Sequence, residues 1–354
     1  MIRAMMARGV AERVFPGAVL ALWQEGRVWL EAFGWRAWIP KLEANHPETI
    51  YDLASLTKPL ATTLCLMRLV SEGALSLESR AADYFEAPPW FREVRLFHLL
   101  SHSAGFPAHR PYFAKLITHS FEDRSQLLED WILAEPPAYP VGKKQIYSDL
   151  GFFLLGQLIT EVSGKSLDLY FEETLELLFK EKRPELMFTP RRQGIHVSRL
   201  APTEICPWRG KLLRGEVHDE NTWVIGGVAG QAGLFGSAEA VLALLEKLLL
   251  AYLGEETSFL TRDLVQTFWE WRSEAGTWAL GFDRPSPEGS SAGSLISRKA
   301  LGHLGFTGTS FWIDPEKAMI VVLLTNRVHP TRENTKIKAF RPALHDLIFR
   351  EYAC

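Results

Sequence analysis

Cysteine is scarce in this chain, since Cys65, Cys206 and Cys354 are the only three among 354 residues. An odd number at such wide spacing matches neither a disulfide framework nor a zinc site, so we expect no disulfide, no metal and no cofactor. Cysteine usage of this kind favours a reducing compartment. Cys65 lies in an apolar helical pattern, which predicts a buried core thiol.

Net charge and long apolar runs are also lacking. The formal charge is -3 at pH 7 and the pI is about 6.4, unlike the basic balance of proteins that bind nucleic acid or anionic membranes. The apolar run at residues 15–23 is too short to span a membrane, and Pro16 and Gly17 favour a β-hairpin over a signal peptide. We therefore predict a cytoplasmic protein without nucleic-acid or membrane partners, and leave its oligomeric state open.

Apolar residues are plentiful, at 47% of the chain against 23% charged, which is enough for a large core. Predicted strands lie at 17–23, 28–34, 277–282, 301–313 and 318–325. Predicted helices lie at 1–13, 94–100, 150–162, 167–180, 239–253 and 337–352. The first two strands are almost continuously apolar, which predicts central strands covered on both faces.

Strands near both ends of the chain, around a helical middle, predict an α/β fold of the α+β type. The two termini would build one antiparallel sheet flanked by helices, with a mainly helical region inserted. The length suits one large domain or two intimately joined ones. We therefore predict a single domain over 1–354, with 1–73 and 254–354 as a sheet subdomain and 74–253 as a mainly helical subdomain.

The stretch from Asp52 to Lys58 (Asp-Leu-Ala-Ser-Leu-Thr-Lys) opens a predicted helix that stops at Gly73. Ser55 and Lys58 stand three residues apart, so they share one helix face. A serine becomes nucleophilic when a neighbouring base takes its proton, and Lys58 can be that base if burial or the helix dipole lowers its pKa. About one Ser-x-x-Lys is expected by chance in a chain of this length, so the alternative is an exposed turn with a solvated lysine.

Two further stretches carry residues suited to chemistry. Tyr147-Ser-Asp149 precedes an apolar helix, and Tyr147 could shuttle protons if cationic neighbours lower its pKa; the alternative is a tyrosine that caps a loop. Residues 302–309 (Gly-His-Leu-Gly-Phe-Thr-Gly-Thr) contain three glycines, which let a ligand or another backbone approach a strand. The pattern does not fit a phosphate loop, and its alternative is a β-bulge with a hydrogen-bonded His303.

In the order Ser-x-x-Lys, Tyr-x-Asp, His-x-Gly, these stretches resemble the serine β-lactamase-like superfamily, which includes class C β-lactamases, D-Ala-D-Ala carboxypeptidases and related esterases. Residues 97–105 (Phe-His-Leu-Leu-Ser-His-Ser-Ala-Gly) resemble the signature that follows the nucleophile helix in this superfamily. Residues 302–315 resemble its third-motif strand and the turn after it. The likeness covers about residues 15–330 and implies the same catalytic fold.

The resemblance also implies roles for individual residues. Ser55 would be the acylated nucleophile, Lys58 its proton acceptor, and Tyr147 the group that protonates the leaving group and then activates water. The backbone N–H groups of Ser55 and Phe306 would form the oxyanion hole, with Gly305 beside them.

The sequence departs from the β-lactamase pattern at three positions. Asp149 replaces an asparagine; it can pair with Lys58, but it favours the charged lysine and cannot donate to a substrate amide. His303 and Leu304 replace a lysine and a hydroxyl residue, which removes a permanent cation for a substrate carboxylate. These changes argue against efficient β-lactam hydrolysis and for an ester or a small peptide-like amide.

Residues 216–221 (Glu-Val-His-Asp-Glu-Asn) contain metal-binding side chains. Adjacent residues of that kind rarely converge on one ion, so we predict a hydrogen-bonded loop at the cleft rim rather than a metal site.

Together these patterns predict a serine hydrolase, similar to an esterase or a D-alanyl carboxypeptidase, with weak or no β-lactamase activity and a small-molecule ester or amide as substrate. Two alternatives remain: a catalytically silent protein that binds peptidoglycan-like ligands, and an acyltransferase that uses the same site. The intact set of Ser55, Lys58 and Tyr147 favours an enzyme over a binding protein.

Overall fold

The computed structural model describes residues 1–352. Its strands are β1 (Gly17–Gln24), β2 (Arg27–Ala37), β3 (Glu43–Ala44), β4 (Tyr51–Asp52), β5 (Leu186–Phe188), β6 (Pro202–Cys206), β7 (Lys211–Arg214), β8 (Leu234–Gly236), β9 (Leu301–Leu304), β10 (Ser310–Asp314) and β11 (Met319–Thr325). Six of them form one antiparallel sheet in the order β3-β2-β1-β11-β10-β9. The predicted antiparallel sheet built from both ends of the chain is therefore confirmed.

The helices are α1 (Ile2–Ala11), α2 (Leu64–Ser71), α3 (Leu96–Leu100), α4 (Phe113–Leu116), α5 (Arg124–Leu133), α6 (Asp149–Ser163), α7 (Leu167–Leu178), α8 (Glu220–Val224), α9 (Ala238–Leu253), α10 (Arg262–Glu270) and α11 (Ile337–Tyr352). Short 3-10 turns lie at Ala81–Asp83, Pro89–Glu93 and Val197–Arg199. Gly164 ends α6 with a φ of 69°, a left-handed conformation that glycine adopts without strain. None of the helices in the described part of the chain is both long and apolar enough to cross a membrane.

The sheet separates two hydrophobic cores, and β1 contributes to both. Ala18, Leu20 and Leu22 pack with α1 and α11. Val19, Ala21 and Trp23 pack in a larger core that includes α2 and α9. Complete burial of a Val or Leu side chain stabilises the fold by about 1.5–3 kcal/mol, so this strand is a main stabilising element. The division into subdomains at residues 73/74 and 253/254 stays a prediction.

Three predictions about strands are wrong. Strand β2 is not covered on both faces, since only Phe33 and Ala37 of its eleven residues are buried. Residues 277–282 form bends: Gly281 has a φ of 81°, and the amide of Ala279 bonds the carbonyl of Phe282. Residues 301–313 form the hairpin β9–β10 rather than one strand, since the Gly305 amide bonds the Thr309 carbonyl at 2.7 Å.

The segment that carries Ser55 is helical, as predicted, but not a regular α-helix. It begins as a 3-10 turn at Ala54–Leu56, continues as a π-helix at Lys58–Thr63 and becomes α2 afterwards. Short π-helical segments are frequent at functional sites. Cys65, on α2, is buried and free as predicted, and Cys206 is also a buried free thiol; Cys354 lies outside the described residues.

Candidate active site

A cavity of about 780 Å³ lies where β9, the loop at residues 216–220 and the start of α11 meet. Ser55, Tyr147, Asp149, His303 and Phe306 all line it. Residues from three distant stretches of sequence, proposed from their motifs alone, therefore share one cavity. Gly305 lines it as well, whereas Lys58 is fully buried beneath it.

Ser55 lies between the two groups that could move its proton. The Lys58 ammonium donates to Ser55 Oγ at 3.2 Å, and the Tyr147 hydroxyl donates to the same oxygen at 2.7 Å. The Lys58 nitrogen also lies 4.8 Å from the centre of the Tyr147 ring. This arrangement places Ser55, Lys58 and Tyr147 within hydrogen-bonding reach of one another, which general acid–base catalysis requires.

Lys58 makes three hydrogen bonds, the full donor capacity of an ammonium group. Besides Ser55, its acceptors are Asp149 Oδ1 at 2.7 Å and the Gln231 carbonyl at 3.0 Å. The glycine-rich loop that carries Gln231 reaches Lys58 because Gly230 packs directly on α6, where an added Cβ would lie 2.0 Å from the Phe152 carbonyl oxygen. The geometry therefore suits a protonated lysine.

The pKa of Lys58 is set by its burial and by its contacts with Asp149 and Tyr147. Burial lowers the pKa of Lys58, but the negative charge of Asp149 and the contact with Tyr147 outweigh it, and the net shift is upward. Burial raises the pKa of Asp149, but Lys58 and His109 hold it well below its usual range. The lowered pKa that Lys58 would need in order to act as a base is thus absent in the resting protein, whereas the predicted pairing of Asp149 with Lys58 is present.

Tyr147 is surrounded by aromatic rings rather than by several cations. The rings of His102, Trp278 and His303 lie 4.8, 5.6 and 6.0 Å from it, measured between centroids. Burial raises the pKa of Tyr147 to about 12, although Lys58 opposes this shift. The resting hydroxyl is therefore protonated and poised to donate, and the condition of a pKa lowered by cationic neighbours is not met.

His303 is neutral and lacks a partner on one side of its ring. Its Nδ1 lies 2.9 Å from the Leu304 carbonyl oxygen, while the buried Nε2 contacts no polar group in residues 1–352. Burial and the charge of Lys58 lower the pKa of His303 to about 3. His303 thus offers no cation at neutral pH, and the regular pairing of β9 with β10 shows no bulge at this position.

The turn that follows β9 is fixed against the backbone that precedes Ser55. Thr307 and Thr309 donate through their hydroxyls to the carbonyls of Asp52 and Leu53, at 2.8 and 3.1 Å. Gly305 is required at the contact, since an added Cβ would lie 2.7 Å from the Leu53 oxygen. These bonds set Phe306 opposite the 3-10 turn of Ser55.

The backbone on both sides of this contact leaves amide groups free. Ala54 has a φ of 48°, an unusual value for a residue with a Cβ, and places Ser55 in the first turn of its helix. Among residues 1–352, the N–H groups of Ser55 and Phe306 donate to no other group. Two unpaired amides from facing segments can together bind a developing oxyanion.

Arg327 holds Phe306 from the other side. Its Nε and Nη2 donate to the Phe306 carbonyl at 3.0 and 2.7 Å, and its guanidinium lies 4.7 Å from the Phe306 ring centre. The Phe306 ring is half exposed at the cavity and stacks on His218. Arg327 therefore fixes the orientation of residue 306.

The loop at residues 216–221 is placed at the rim of the cavity, with His218, Asp219 and Glu220 lining it. The backbone of His218 donates to Asp52 Oδ2 at 2.6 Å, and Asp219 caps α8. The loop is thus ordered by hydrogen bonds.

A different group of side chains has metal-ligand character. Atoms of Glu204, Cys206 and Glu220 lie within 4.8 Å of one another. The Arg332 guanidinium pairs with both carboxylates, at 2.6 Å for Glu220. Because a cation already compensates these charges, the group is better described as an ion-pair cluster below Phe306.

Sequence reasoning missed several residues of the site. His102, Trp278, His109 and Arg327 contact the predicted residues but carried no predicted role. Only His102 had a signal, because it falls within the stretch 97–105 that resembles a superfamily signature. The others reach the cavity through tertiary contacts.

Comparison with known proteins identifies the family of the chain. The family model described as "Beta-lactamase" matches residues 2–343. The chain is 33% identical over 312 residues to the "Putative D-alanyl-D-alanine carboxypeptidase" of Escherichia coli (strain K12), covering 79% of this chain and 70% of that protein. It is 30% identical over 362 residues to the "N-acetylmuramyl-L-alanine amidase" of Bacillus subtilis (strain 168), covering 92% and 80%.

Among solved structures, the octameric penicillin-binding protein homologue from Pyrococcus abyssi superposes with a TM-score of 0.75. The match covers 99% of this chain and 77% of that chain at 21% identity, and therefore supports the fold alone. The family model and the relatives that are at least 30% identical assign the family as well as the fold. On this evidence the chain belongs to the Beta-lactamase family.

Proposed function

We propose that this protein is a serine hydrolase that forms an acyl-enzyme on Ser55 and acts on an ester or a small peptide-like amide. The observation that carries the proposal is the position of Ser55 Oγ at the cavity, 3.2 Å from Lys58 Nζ and 2.7 Å from the Tyr147 oxygen. A nucleophile within reach of two proton-transfer groups is the arrangement that acyl transfer needs.

In the proposed reaction, Ser55 Oγ attacks the carbonyl carbon while its proton passes to Lys58 in the neutral form. The Ser55 and Phe306 amides stabilise the resulting oxyanion. Tyr147 then gives its proton to the leaving group as the bond to that group breaks. The tyrosinate formed beside the Lys58 ammonium accepts a proton from water, whose oxygen attacks the acyl carbon. The bond from the acyl carbon to Ser55 Oγ then breaks, and Ser55 takes a proton back from the Lys58 ammonium, which restores the neutral lysine and the Tyr147 hydroxyl.

The positive charge on Lys58 limits which substrates the proposed mechanism can cleave. Because Asp149 raises the pKa of Lys58, only a small fraction of the protein holds a neutral lysine at pH 7. An ester carbonyl is a more reactive acceptor than an amide carbonyl and tolerates a weaker nucleophile. We therefore expect esters to be hydrolysed faster than amides or β-lactams.

The first test is the hydrolysis of a short-chain p-nitrophenyl ester by the wild type, with a chromogenic cephalosporin assayed in parallel. We expect ester turnover and little or no cephalosporin turnover, because His303 is neutral and Asp149 cannot donate to an amide. A cephalosporin rate that equals the ester rate would contradict this substrate preference.

Asp149→Asn is expected to shift the pH dependence of ester hydrolysis. Removing the carboxylate removes the main effect that raises the pKa of Lys58, so the neutral lysine forms at lower pH. The rising limb of kcat/KM against pH should therefore move to lower pH, which a pH–rate profile measures. A limb that stays in place would remove Lys58 as the proton acceptor.

A second candidate, binding of an acyl ligand without turnover, is favoured by the protonated state of Lys58. The same ester assay separates the two candidates, since a folded wild type with no turnover would favour binding. We also propose a cytoplasmic location and a division of the domain into two subdomains.

A further inference from the structure

A second cavity, of about 370 Å³, shares no lining residue with the candidate active site. Glu216 and Val217 line it, whereas the next residues of the same loop, His218 and Asp219, line the active-site cavity. Its volume falls in the range of about 300–1,000 Å³ that is usual for small-molecule sites. The proposed mechanism uses none of its residues, so the cavity is open to a role of its own.

Glycines form part of the wall of this cavity because other side chains pack directly on their backbone. An added Cβ at Gly215 would lie 2.7 Å from Arg191 Cγ, and one at Gly226 would lie 3.1 Å from Phe121 Cζ. Both glycines have a positive φ, at 71° and 104°, which glycine adopts without strain. Arg191 and Phe121 are exposed residues, yet their side chains lie against the protein at this cavity.

Three arginines line the cavity: Arg124, Arg191 and Arg192. Within the described part of the chain none of them forms an ion pair. The nitrogens of Arg124 all donate to backbone carbonyls, at 3.1 Å in each case. The guanidinium groups of Arg191 and Arg192 have no hydrogen-bond partner in residues 1–352 and can bind an anion.

Among those same residues, Glu216 is the one carboxylate that lines the cavity, and its oxygens are already engaged. Lys211 donates to one oxygen at 2.7 Å, and Trp223 Nε1 donates to the other at 3.0 Å. Three guanidinium groups beside one paired carboxylate leave this cavity with a net positive charge. An anionic ligand would compensate that charge.

The remaining lining is largely aromatic. Phe235 is 2% exposed, whereas Phe121 leaves 52% of its surface exposed beside the Arg124 guanidinium, 5.7 Å from its ring centre. Trp223 completes the aromatic set. Rings of this kind cover the apolar body of a small molecule, and a planar ring in particular.

We propose that this cavity binds a small anion with a ring-sized apolar body, of the class of aromatic carboxylates and aryl phosphates. Arg191 and Arg192 hold the anionic oxygens through charge-assisted hydrogen bonds, and the aromatic residues cover the ring. The proposal goes beyond the proposed hydrolase activity and does not depend on it, because binding is measured without turnover.

Isothermal titration calorimetry with benzoate and phenyl phosphate tests the site, with benzamide and phenol as neutral counterparts. The two anions distinguish a carboxylate ligand from a phosphate ligand. In the wild type we expect at least one anion to bind about tenfold more tightly than its counterpart, since a charge-assisted hydrogen bond contributes about that factor. Acetate and inorganic phosphate, which lack the ring, should bind more weakly than the matching aromatic anion.

Arg191→Gln is expected to weaken binding of that anion about tenfold. Glutamine keeps the part of the stem that packs on Gly215, so the fold should be retained. The matched control is Arg298→Gln, because Arg298 is also exposed, forms no ion pair in residues 1–352 and does not line the cavity. Its loss should leave the affinity unchanged.

Three results would overturn the proposal. The first is equal binding, or none, of the anions and their neutral counterparts by the wild type. The second is full affinity in folded Arg191→Gln, which would place the anion elsewhere, the active-site cavity included. The third is binding of acetate or inorganic phosphate as tight as that of the aromatic anion, which would remove the role of the rings.

Discussion

Ser55→Ala is expected to abolish ester hydrolysis, with a loss on the order of 10³–10⁶-fold in kcat, the range seen when a nucleophile is removed. The substitution removes only the Ser55 hydroxyl. Lys58 and Tyr147 keep their contacts with other residues in the variant. Labelling by a fluorophosphonate checks the same point directly. In that reaction Ser55 Oγ bonds to phosphorus, fluoride leaves and the serine proton is lost.

Ser237→Ala serves as the matched serine control. Ser237 caps α9 by accepting from the Ala240 amide at 3.2 Å, far in sequence from the proposed nucleophile. Its loss should cost about 1 kcal/mol of stability and leave labelling intact. Stoichiometric labelling of Ser55→Ala would show that another residue is the nucleophile.

Lys58→Met is expected to impair both catalysis and stability. Loss of the proton acceptor should slow turnover by about 10²–10⁴-fold. Removing one partner of a buried ion pair costs 3–5 kcal/mol in general, and we expect about 3 kcal/mol here because Asp149 is 23% exposed and keeps His109. Denaturant unfolding of the wild type and the variant measures the difference.

The pH dependence of that difference follows from Asp149. Its folded-state pKa is depressed in the wild type, so the pair contributes stability above the ordinary aspartate value of 3.8 and loses it as the pH falls through the folded-state pKa. The deficit of Lys58→Met should therefore shrink in acid. A second substitution, Asp149→Asn, should recover part of the stability at neutral pH, and a strictly additive double variant would show that the pair is not coupled.

Much of the fold and of the candidate site could be predicted because it is written in local patterns. The almost continuous apolar runs of β1 and β11 give strong strand signals, and β1 packs in both cores as such a run predicts. Ser55, Tyr147 and His303 stand in short motifs with recognisable order. All three line one cavity, where His303 on β9 meets Ser55 after β4 and Tyr147 before α6.

The other features of the fold and the site depend on tertiary contacts, which no local sequence pattern contains. The pKa of Lys58 is a balance between burial and the charge of Asp149, and its sign requires their separation of 2.7 Å. The bend at Gly281 requires a glycine, because its φ is 81° and an added Cβ would meet Thr63 Oγ1, far away in sequence. Arg341 stands on a helix whose mixed composition suggests a solvated face, and only packing shows that it is buried.

The contact between the turn after β9 and the backbone before Ser55 has a consequence for biosynthesis. The bonds from Thr307 and Thr309 join residues 255 and 256 positions apart. Contacts of such long range form only after the intervening chain has been made, and synthesis proceeds at about 5–20 residues per second. A nascent chain that already carries Ser55, Lys58 and Tyr147 therefore lacks Phe306, half of the proposed oxyanion hole, and we expect it to stay inactive on the ribosome until β9 and the turn after it have emerged.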